Sequence, residues 1–423
     1  KDLCNTMFKL ATMLSLLMLM FMLQDVSGNN NNDDVDFLGF HTVATMPYNC
    51  SDMTATTFEM DYGDSDGSRI YLAGGCIADQ ICEITDPDSG AIFCYCPEIT
   101  NQCMYFTPDT EEWHTDCSSA PTDRYRHMAV KIDQYLWLLG GRTVEDNLIT
   151  SVERYDTTTD TWTTPFDWTE AVSDAAAFAA NDGIIYVVGG YDAAYNTLSQ
   201  LIAIDSSNGA VDNSLPSMFL GRGDLAVIQF QGNNFWVVGG WNAETSNGFC
   251  DPSTDVEVFN ADSLTWRNAS DLENGRGDLV LGIMDDGIFA VGGETKNQSS
   301  PECSYSIPVK IVERHLDDNG YWNDEEDIPS NIFRFSGASY NSTGDNSEYL
   351  TAIYLFGGQG SYNEVNKTFP LLGSTIKYIP TSTGSSKKSS SSSGNDDLSA
   401  GGIAGITIAV VIVVACIIAV IVV

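Results

Sequence analysis

The chain has 423 residues, with 58 acidic and 19 basic side chains and a formal charge of −39. That balance argues against nucleic acid as a partner, because neutralising phosphates needs Lys and Arg. Hydrophobic residues make up 43% and aromatics 11%, so the acidity is not that of a disordered chain, and 37 Gly against 13 Pro suits many turns between short strands.

The first predicted element is an address. Met7 is a plausible start, Lys9 supplies a basic n-region, Leu10 to Leu23 is a weakly polar-to-apolar run, and Val26-Ser27-Gly28 is a small-residue cleavage site. Residues 1–28 are therefore expected to be a signal peptide.

The body, residues 29–380, is a repeat. An apolar run ending in a glycine pair occurs six times, at Gly74-Gly75, Gly140-Gly141, Gly189-Gly190, Gly239-Gly240, Gly292-Gly293 and Gly357-Gly358, with spacings of 66, 49, 50, 53 and 65 residues. The runs (IYLAGG, LWLLGG, IYVVGG, FWVVGG, IFAVGG and IYLFGG) read as buried strands. A ring residue stands seven positions before a tryptophan in four repeats: Phe106 and Trp113, Tyr155 and Trp162, Phe259 and Trp266, His315 and Trp322. The third and sixth repeats keep the strand, at Ile204 and Tyr378, without the Trp.

This pattern resembles the kelch repeat over about residues 37–380. The resemblance implies an all-β fold: a six-bladed kelch-type β-propeller of four-stranded antiparallel blades, in which the glycine pairs and Trp113, Trp162, Trp266 and Trp322 are structural. A single blade cannot bury both faces, so blades are stable only together. The sixth repeat has three strands, near Ser336, Tyr354 and Tyr378, and then runs into serine-rich sequence, whereas residues 37–47 (FLGFHTVATMP) look like a closing strand. The expectation is that this N-terminal strand completes the sixth blade.

Motifs for chemistry are thin. The four histidines, His41, His114, His127 and His315, form no HExxH or paired set, and no Gly-x-Ser-x-Gly occurs, so no catalytic, cofactor or metal residue is assigned. The acidic stretches 61–67 and 317–327 lack the full calcium-loop spacing and read as turns and solvated surface, with a weak Ca²⁺ site as the most plausible metal site. GRGDL occurs twice, at Gly221 to Leu225 and Gly275 to Leu279, each before a glycine pair. This placement favours a structural role over an adhesive one, as an inter-blade salt bridge or a bend, with Arg126 and Arg334 near the equivalent place elsewhere. Cys250 and Cys303 occupy matching places after neighbouring glycine pairs and are expected to form a disulfide. Cys50, Cys76, Cys82, Cys94, Cys96, Cys103 and Cys117 cluster in or beside the first repeat. Their number is odd and their connectivity stays open. They read as staples of a long loop, with zinc as the weaker alternative.

Residues 381–402 form a Ser-rich stalk and spacer, and residues 403–423 an uncharged run long enough to span a bilayer. The run is not followed by Lys or Arg, and small residues plus a spacer precede it, so a GPI-attachment tail and a transmembrane helix both stay open. Sequons stand at Asn49, Asn268, Asn297, Asn341 and Asn366. Together these features give the expected function: an extracellular, membrane-tethered, non-catalytic module at the plasma membrane, binding a protein or glycan through loops on one face of the ring. The alternative is a carbohydrate-active enzyme of the sugar epimerase or oxidase class, since some kelch propellers are such enzymes.

Overall fold

The computed structural model describes residues 38–59, 67–86, 91–180, 183–242, 251–284, 287–296, 305–316, 320–342 and 350–380. The expected signal peptide, stalk, hydrophobic tail, Asn297 and the Cys250–Cys303 pair lie outside the described residues, as do residues 61–66 and 317–319 of the acidic stretches.

Every described element is a strand. The chain enters through β1 (Gly39–Thr45). The first sheet consists of β2 (Thr54–Phe58), β3 (Arg69–Ala73), β6 (Cys103–Thr107) and β7 (Glu112–His114), with a hairpin of β4 (Gln80–Asp86) and β5 (Ala91–Tyr95) inserted after Gly75. The second holds β8 (Met128–Ile132), β9 (Tyr135–Leu139), β10 (Ser151–Asp156) and β11 (Thr161–Asp167). The third holds β12 (Ala176–Ala179), β13 (Ile184–Val188), β14 (Leu201–Asp205) and β15 (Val211–Asp212). The fourth holds β16 (Ala226–Gln229), β17 (Asn234–Val238), β18 (Val256–Asn260) and β19 (Thr265–Asn268). The fifth holds β20 (Val280–Met284), β21 (Gly287–Val291), β24 (Val312–Leu316) and β25 (Trp322–Asp324), with a hairpin of β22 (Glu294–Lys296) and β23 (Ser306–Pro308) inserted. In the last, β26 (Ser336–Ser342), β27 (Leu350–Phe356) and β29 (Ser374–Ile379) are joined by β1, which pairs antiparallel with β29, while β28 (Thr368–Phe369) pairs with β4.

The innermost strands neighbour one another in succession: β2 lies beside β8, β8 beside β12, β12 beside β16, β16 beside β20, β20 beside β26, and β26 beside β2. Four-stranded antiparallel sheets in this arrangement fit a β-propeller. The second strand of each sheet is nearly all buried because both its faces meet neighbouring sheets, which is why the sequence shows unbroken apolar runs there and not alternation.

The glycine pairs join one sheet to the next. Gly75, Gly141, Gly190 and Gly240 donate backbone N–H groups to the carbonyls of Arg124, Val172, Arg222 and Arg276, each just before the following sheet, at 2.8–2.9 Å. Gly358 makes the corresponding bond to Cys50, just before the first sheet, at 2.8 Å. At Gly140 the backbone is left-handed (φ 59°), and a Cβ there would collide with the Val172 carbonyl oxygen. Only glycine avoids both penalties.

The tryptophans are anchored by their indole N–H groups to segments between sheets. Trp162 donates to the Ser118 carbonyl (2.7 Å), Trp266 to Pro216 (2.7 Å) and Trp322 to Ser270 (2.8 Å), while Trp113 donates to Thr375 Oγ1 (2.9 Å) in the last sheet. Each packs on the expected aromatic: Trp113 on Phe106, Trp162 on Tyr155, Trp266 on Phe259 and Trp322 on His315.

Three buried ion pairs corset individual sheets. Arg124 meets Glu153 at 2.9 Å, Arg222 meets Glu257 at 3.0 Å, and Arg276 meets Glu313 at 2.6 Å. For GRGDL, the bend expected before the inner strand is present, with Asp224 and Asp278 at φ 53° and 50°, and the salt bridges of its arginines are not inter-blade. Arg222 and Arg276 are wholly buried, and their partners are in their own sheets, not across to the next. The reason is reach: the arginine precedes the innermost strand, and the glutamate opens the third strand of the same sheet. Arg126 and Arg334 also do not match Arg222. They stand two residues later, at the position of Asp224.

Of the clustered cysteines, Cys76–Cys96 and Cys82–Cys94 staple the β4–β5 insertion, and Cys103–Cys117 ties β6 to the segment leading to the second sheet. Cys50 is the free cysteine among the described residues and is fully buried.

Candidate functional site

Each sheet contributes one residue, two positions before its innermost strand, to a circuit around the centre. In order these are Asp52, Arg126, Asp174, Asp224, Asp278 and Arg334. All six have left-handed backbones, with φ between 50° and 55°. Such a conformation is uncommon outside glycine and disfavoured for arginine, and it clusters at functional positions. The strain is held by a relay of backbone bonds. Arg126 N–H reaches the Asp52 carbonyl (3.0 Å), Asp174 reaches Arg126 (3.0 Å), Asp224 reaches Asp174 (2.8 Å), Asp278 reaches Asp224 (2.9 Å), and Asp52 reaches Arg334 (3.3 Å).

A second tier stands beside the first. The residue following each glycine pair bridges to the residue just before a circuit member: Cys76 to Ser51, Arg142 to Tyr125, Tyr191 to Ser173, Trp241 to Gly223, Glu294 to Gly277, and Gln359 to Phe333. All six second-tier side chains are buried. The glycine-pair loops and the circuit therefore share one face, and a cavity of about 270 Å³ at the centre is lined by the six circuit residues and the starts of the innermost strands.

The charges are unevenly distributed. Asp52 is satisfied: Arg126 Nε is 3.8 Å and Arg334 Nη1 is 4.0 Å away, while Ser51 Oγ (2.6 Å) and Gln359 Nε2 (3.2 Å) donate to Asp52 Oδ2. Arg334 also contacts Glu294 at 3.1 Å and Asp278 at 3.3 Å. Burial alone would lower the Arg334 pKa, but Glu294 and Asp52 outweigh it and keep the guanidinium firmly charged. Opposite, Tyr191 donates its hydroxyl to Asp224 Oδ2 at 2.6 Å. Asp224 touches the cavity but lies deep in the molecule, and desolvation together with the neighbouring Asp174 pushes its pKa up to about 8. Asp278 is likewise raised, by burial first and Asp224 second. Lys296 has its pKa lowered by burial, although Glu294 opposes that, and it donates to Ser306 Oγ at 2.9 Å.

The rim is lopsided. On one side the β4–β5 hairpin, β28 and the segment around Tyr305 pack into a wall in which Cys82, Phe333 and Phe369 are buried and Tyr305 stacks on Tyr362 at 4.7 Å. On the other side the loops are short and hold Arg142 against the Tyr195 ring at 3.8 Å, with the Tyr195 hydroxyl on Asp146 at 2.7 Å.

The binding expected from the sequence is through loops on one face of the ring, and long loops follow Gly75, Gly240, Gly293 and Gly358. Those after Gly75 and Gly358 build the wall, and residues 243–250 of the Gly240 loop lie outside the described residues. Reasoning from the chain alone missed the circuit, whose signal was the position two before each inner strand. Of the histidines, His127 lines the cavity wall, where burial pushes its pKa down to about 3, and it bonds Thr54 Oγ1 at 3.1 Å. His114 stacks on Tyr105 and His315 packs against Trp236 and Trp322. Asn49, Asn268, Asn341 and Asn366 of the sequons are exposed residues, and Asn49 Nδ2 donates to the Leu371 carbonyl at 3.0 Å.

A family model described as the KLHDC2/KLHL20/DRC7 Kelch-repeats domain matches residues 65–293, more than half of the chain. The chain belongs to the kelch-repeat family. Among kelch relatives, Beta-scruin of Limulus polyphemus is 23% identical over 226 residues, covering 52% of this chain and 24% of that protein. Kelch-like protein 35 of Mus musculus is 29% identical over 186 residues, covering 44% of this chain and 29% of its own length. The chain thus spans less than a third of these relatives. The solved "Structure of YjhT" aligns with a TM-score of 0.56 over 77% of this chain and 94% of that one at 14% identity, a likeness of fold alone. Kelch repeats commonly mediate protein binding.

Proposed function

We propose that this kelch domain is a closed six-bladed ring, presented outside the cell on a membrane tether, that binds a protein or glycan ligand at the central cavity lined by the circuit. The observation that carries the reading is the convergence of the six circuit residues on a small central cavity, with the second tier bridged beside them on the same face. Loops on a rigid scaffold are the usual place for recognition. The extracellular placement is supported by three disulfides and four exposed sequons, which suit an oxidising, glycosylating compartment. Ring closure is supported by the β1–β29 pairing and the Gly358–Cys50 bond.

The binding test presents the full chain to glycan arrays and cell-surface proteins. Binding that disappears with Tyr195→Ser at the rim supports the reading, and binding indifferent to that change overturns it. Surface biotinylation and phospholipase release of the full chain test the tether and its GPI form. Deleting residues 36–47 tests closure: the thermal transition is expected to vanish, and a retained transition overturns closure.

A second reading is a carbohydrate-active enzyme. It is favoured by the Tyr191–Asp224 pair, in which a cavity-lining carboxyl of raised pKa accepts from a buried phenol. Turnover of a sugar panel followed by NMR, abolished in Asp224→Asn, would replace the binding reading.

A further inference from the structure

The circuit divides into two arcs of opposite character. Arg126, Asp52 and Arg334 alternate in charge along one arc, with Asp52 3.8 Å from Arg126 Nε and 4.0 Å from Arg334 Nη1. Asp174, Asp224 and Asp278 follow one another around the other arc, linked by their own backbone bonds, and only Asp278 has a guanidinium within hydrogen-bond reach. Asp174 is the decisive member. Its side chain is 6% exposed, its Oδ1 is 3.7 Å from Arg126 Nε, too far for a hydrogen bond, and its Oδ2 is buried with no hydrogen-bond partner. A buried carboxylate oxygen left unpaired is costly, and a bound group that donates to it would recover that cost.

What would complete it is constrained by chemistry. The need is for positive charge and donors together. Among the described residues, no three His, Cys, Asp or Glu side chains are grouped so as to hold a metal ion. The cavity, at about 270 Å³, lies at the lower edge of ligand pockets and has room for a side-chain-sized group. A guanidinium or ammonium supplies charge and several donors at once. The net charge of −39 would draw such a group in.

We propose that the Asp174–Asp224–Asp278 arc receives one organic cation, the guanidinium or ammonium of an Arg or Lys side chain presented by a protein partner. This rests on the cavity being the binding site and names the chemistry that it selects.

The test titrates the full chain, in 150 mM salt, with capped Gly-Arg-Gly, Gly-Lys-Gly, Gly-citrulline-Gly and Gly-Glu-Gly peptides. Saturable binding is expected for a cationic peptide, at least tenfold weaker for its citrulline analogue and for the Asp174→Asn variant. Glu112→Gln, an exposed acid on β7, should leave it unchanged. Asparagine tolerates the left-handed backbone, and Asp278→Asn serves if Asp174→Asn does not fold. Equal binding of the citrulline peptide, or equal weakening by Glu112→Gln, would show diffuse attraction and overturn the proposal. If only the Glu peptide or a glycan binds, and Tyr195→Ser abolishes that, the cavity stands as the site and the cation does not. If nothing responds to either class of variant, both readings fall.

Discussion

Arg276 Nη1 stands 2.6 Å from Glu313 Oε1, with both side chains fully shielded from solvent. The same geometry recurs at Arg124–Glu153 and Arg222–Glu257. Breaking such a pair from one side strands the other charge. Arg276→Met is therefore expected to destabilise the protein by about 3–5 kcal/mol, while Arg276→Met with Glu313→Leu recovers most of that loss. Urea unfolding of the single and double variants checks it. A single variant as stable as the parent would show that the buried pair contributes nothing.

Two glycines with left-handed backbones separate collision from conformation. Gly232 (φ 74°) has nothing within 4 Å of a built Cβ, whereas at Gly140 a Cβ meets the Val172 carbonyl. Gly232→Ala is expected to lose about 1 kcal/mol, from backbone conformation alone. Gly140→Ala should lose more than about 3 kcal/mol, because the bond from Gly141 to Val172 is disturbed as well. Thermal unfolding of the two variants side by side measures the difference.

Cys50 is sealed in the core, where its thiol donates to the Gly74 carbonyl, and burial followed by the nearby Asp52 pushes its pKa well up. The thiolate is the reactive form, so iodoacetamide should leave the Cys50 peptide unmodified in the native protein and label it in denaturant. Peptide mass spectrometry reads this directly. Rapid native labelling would mean that this part of the first repeat opens readily.

Asp224 should impose a pH dependence. Its folded pKa of about 8 lies above the ordinary carboxyl value, so between about pH 4 and pH 8 the folded state holds a proton that the unfolded chain releases. The contribution of this group is fully present at low pH and is lost as pH rises through 8. Asp174, Tyr191, Glu294 and Arg126 face it, and Asp278 is its neighbour in the arc. Asp224→Asn is expected to flatten the decline of stability between pH 4 and pH 8. Denaturation midpoints across that range in parent and variant check it, and parallel profiles would assign the dependence to another group.

The repeat was legible because its marks are sterically unforgiving. Gly140-Gly141 and its counterparts cannot be replaced, and Trp162, Trp266 and Trp322 each fill a fixed slot with a fixed N–H partner. The candidate site was not legible, because what it conserves is backbone shape and not residue type. Asp224 and Arg334 share φ near 50° but carry opposite charges. Cys76, Arg142, Tyr191, Trp241, Glu294 and Gln359 share a place and nothing else. In GRGDL, the arginine turned inward to its own sheet while the aspartate faced the cavity, a division that spacing alone could not assign.

The pairing of β1 with β29 has a mechanical side. Gly39 lies opposite Ile379, so the outer ends of the two strands sit at the same place. A pull applied through the chain on either side would strip this ladder one rung at a time, not shear all rungs together. Such a fastener would peel under modest tension, and force spectroscopy on the full chain would find its first rupture there.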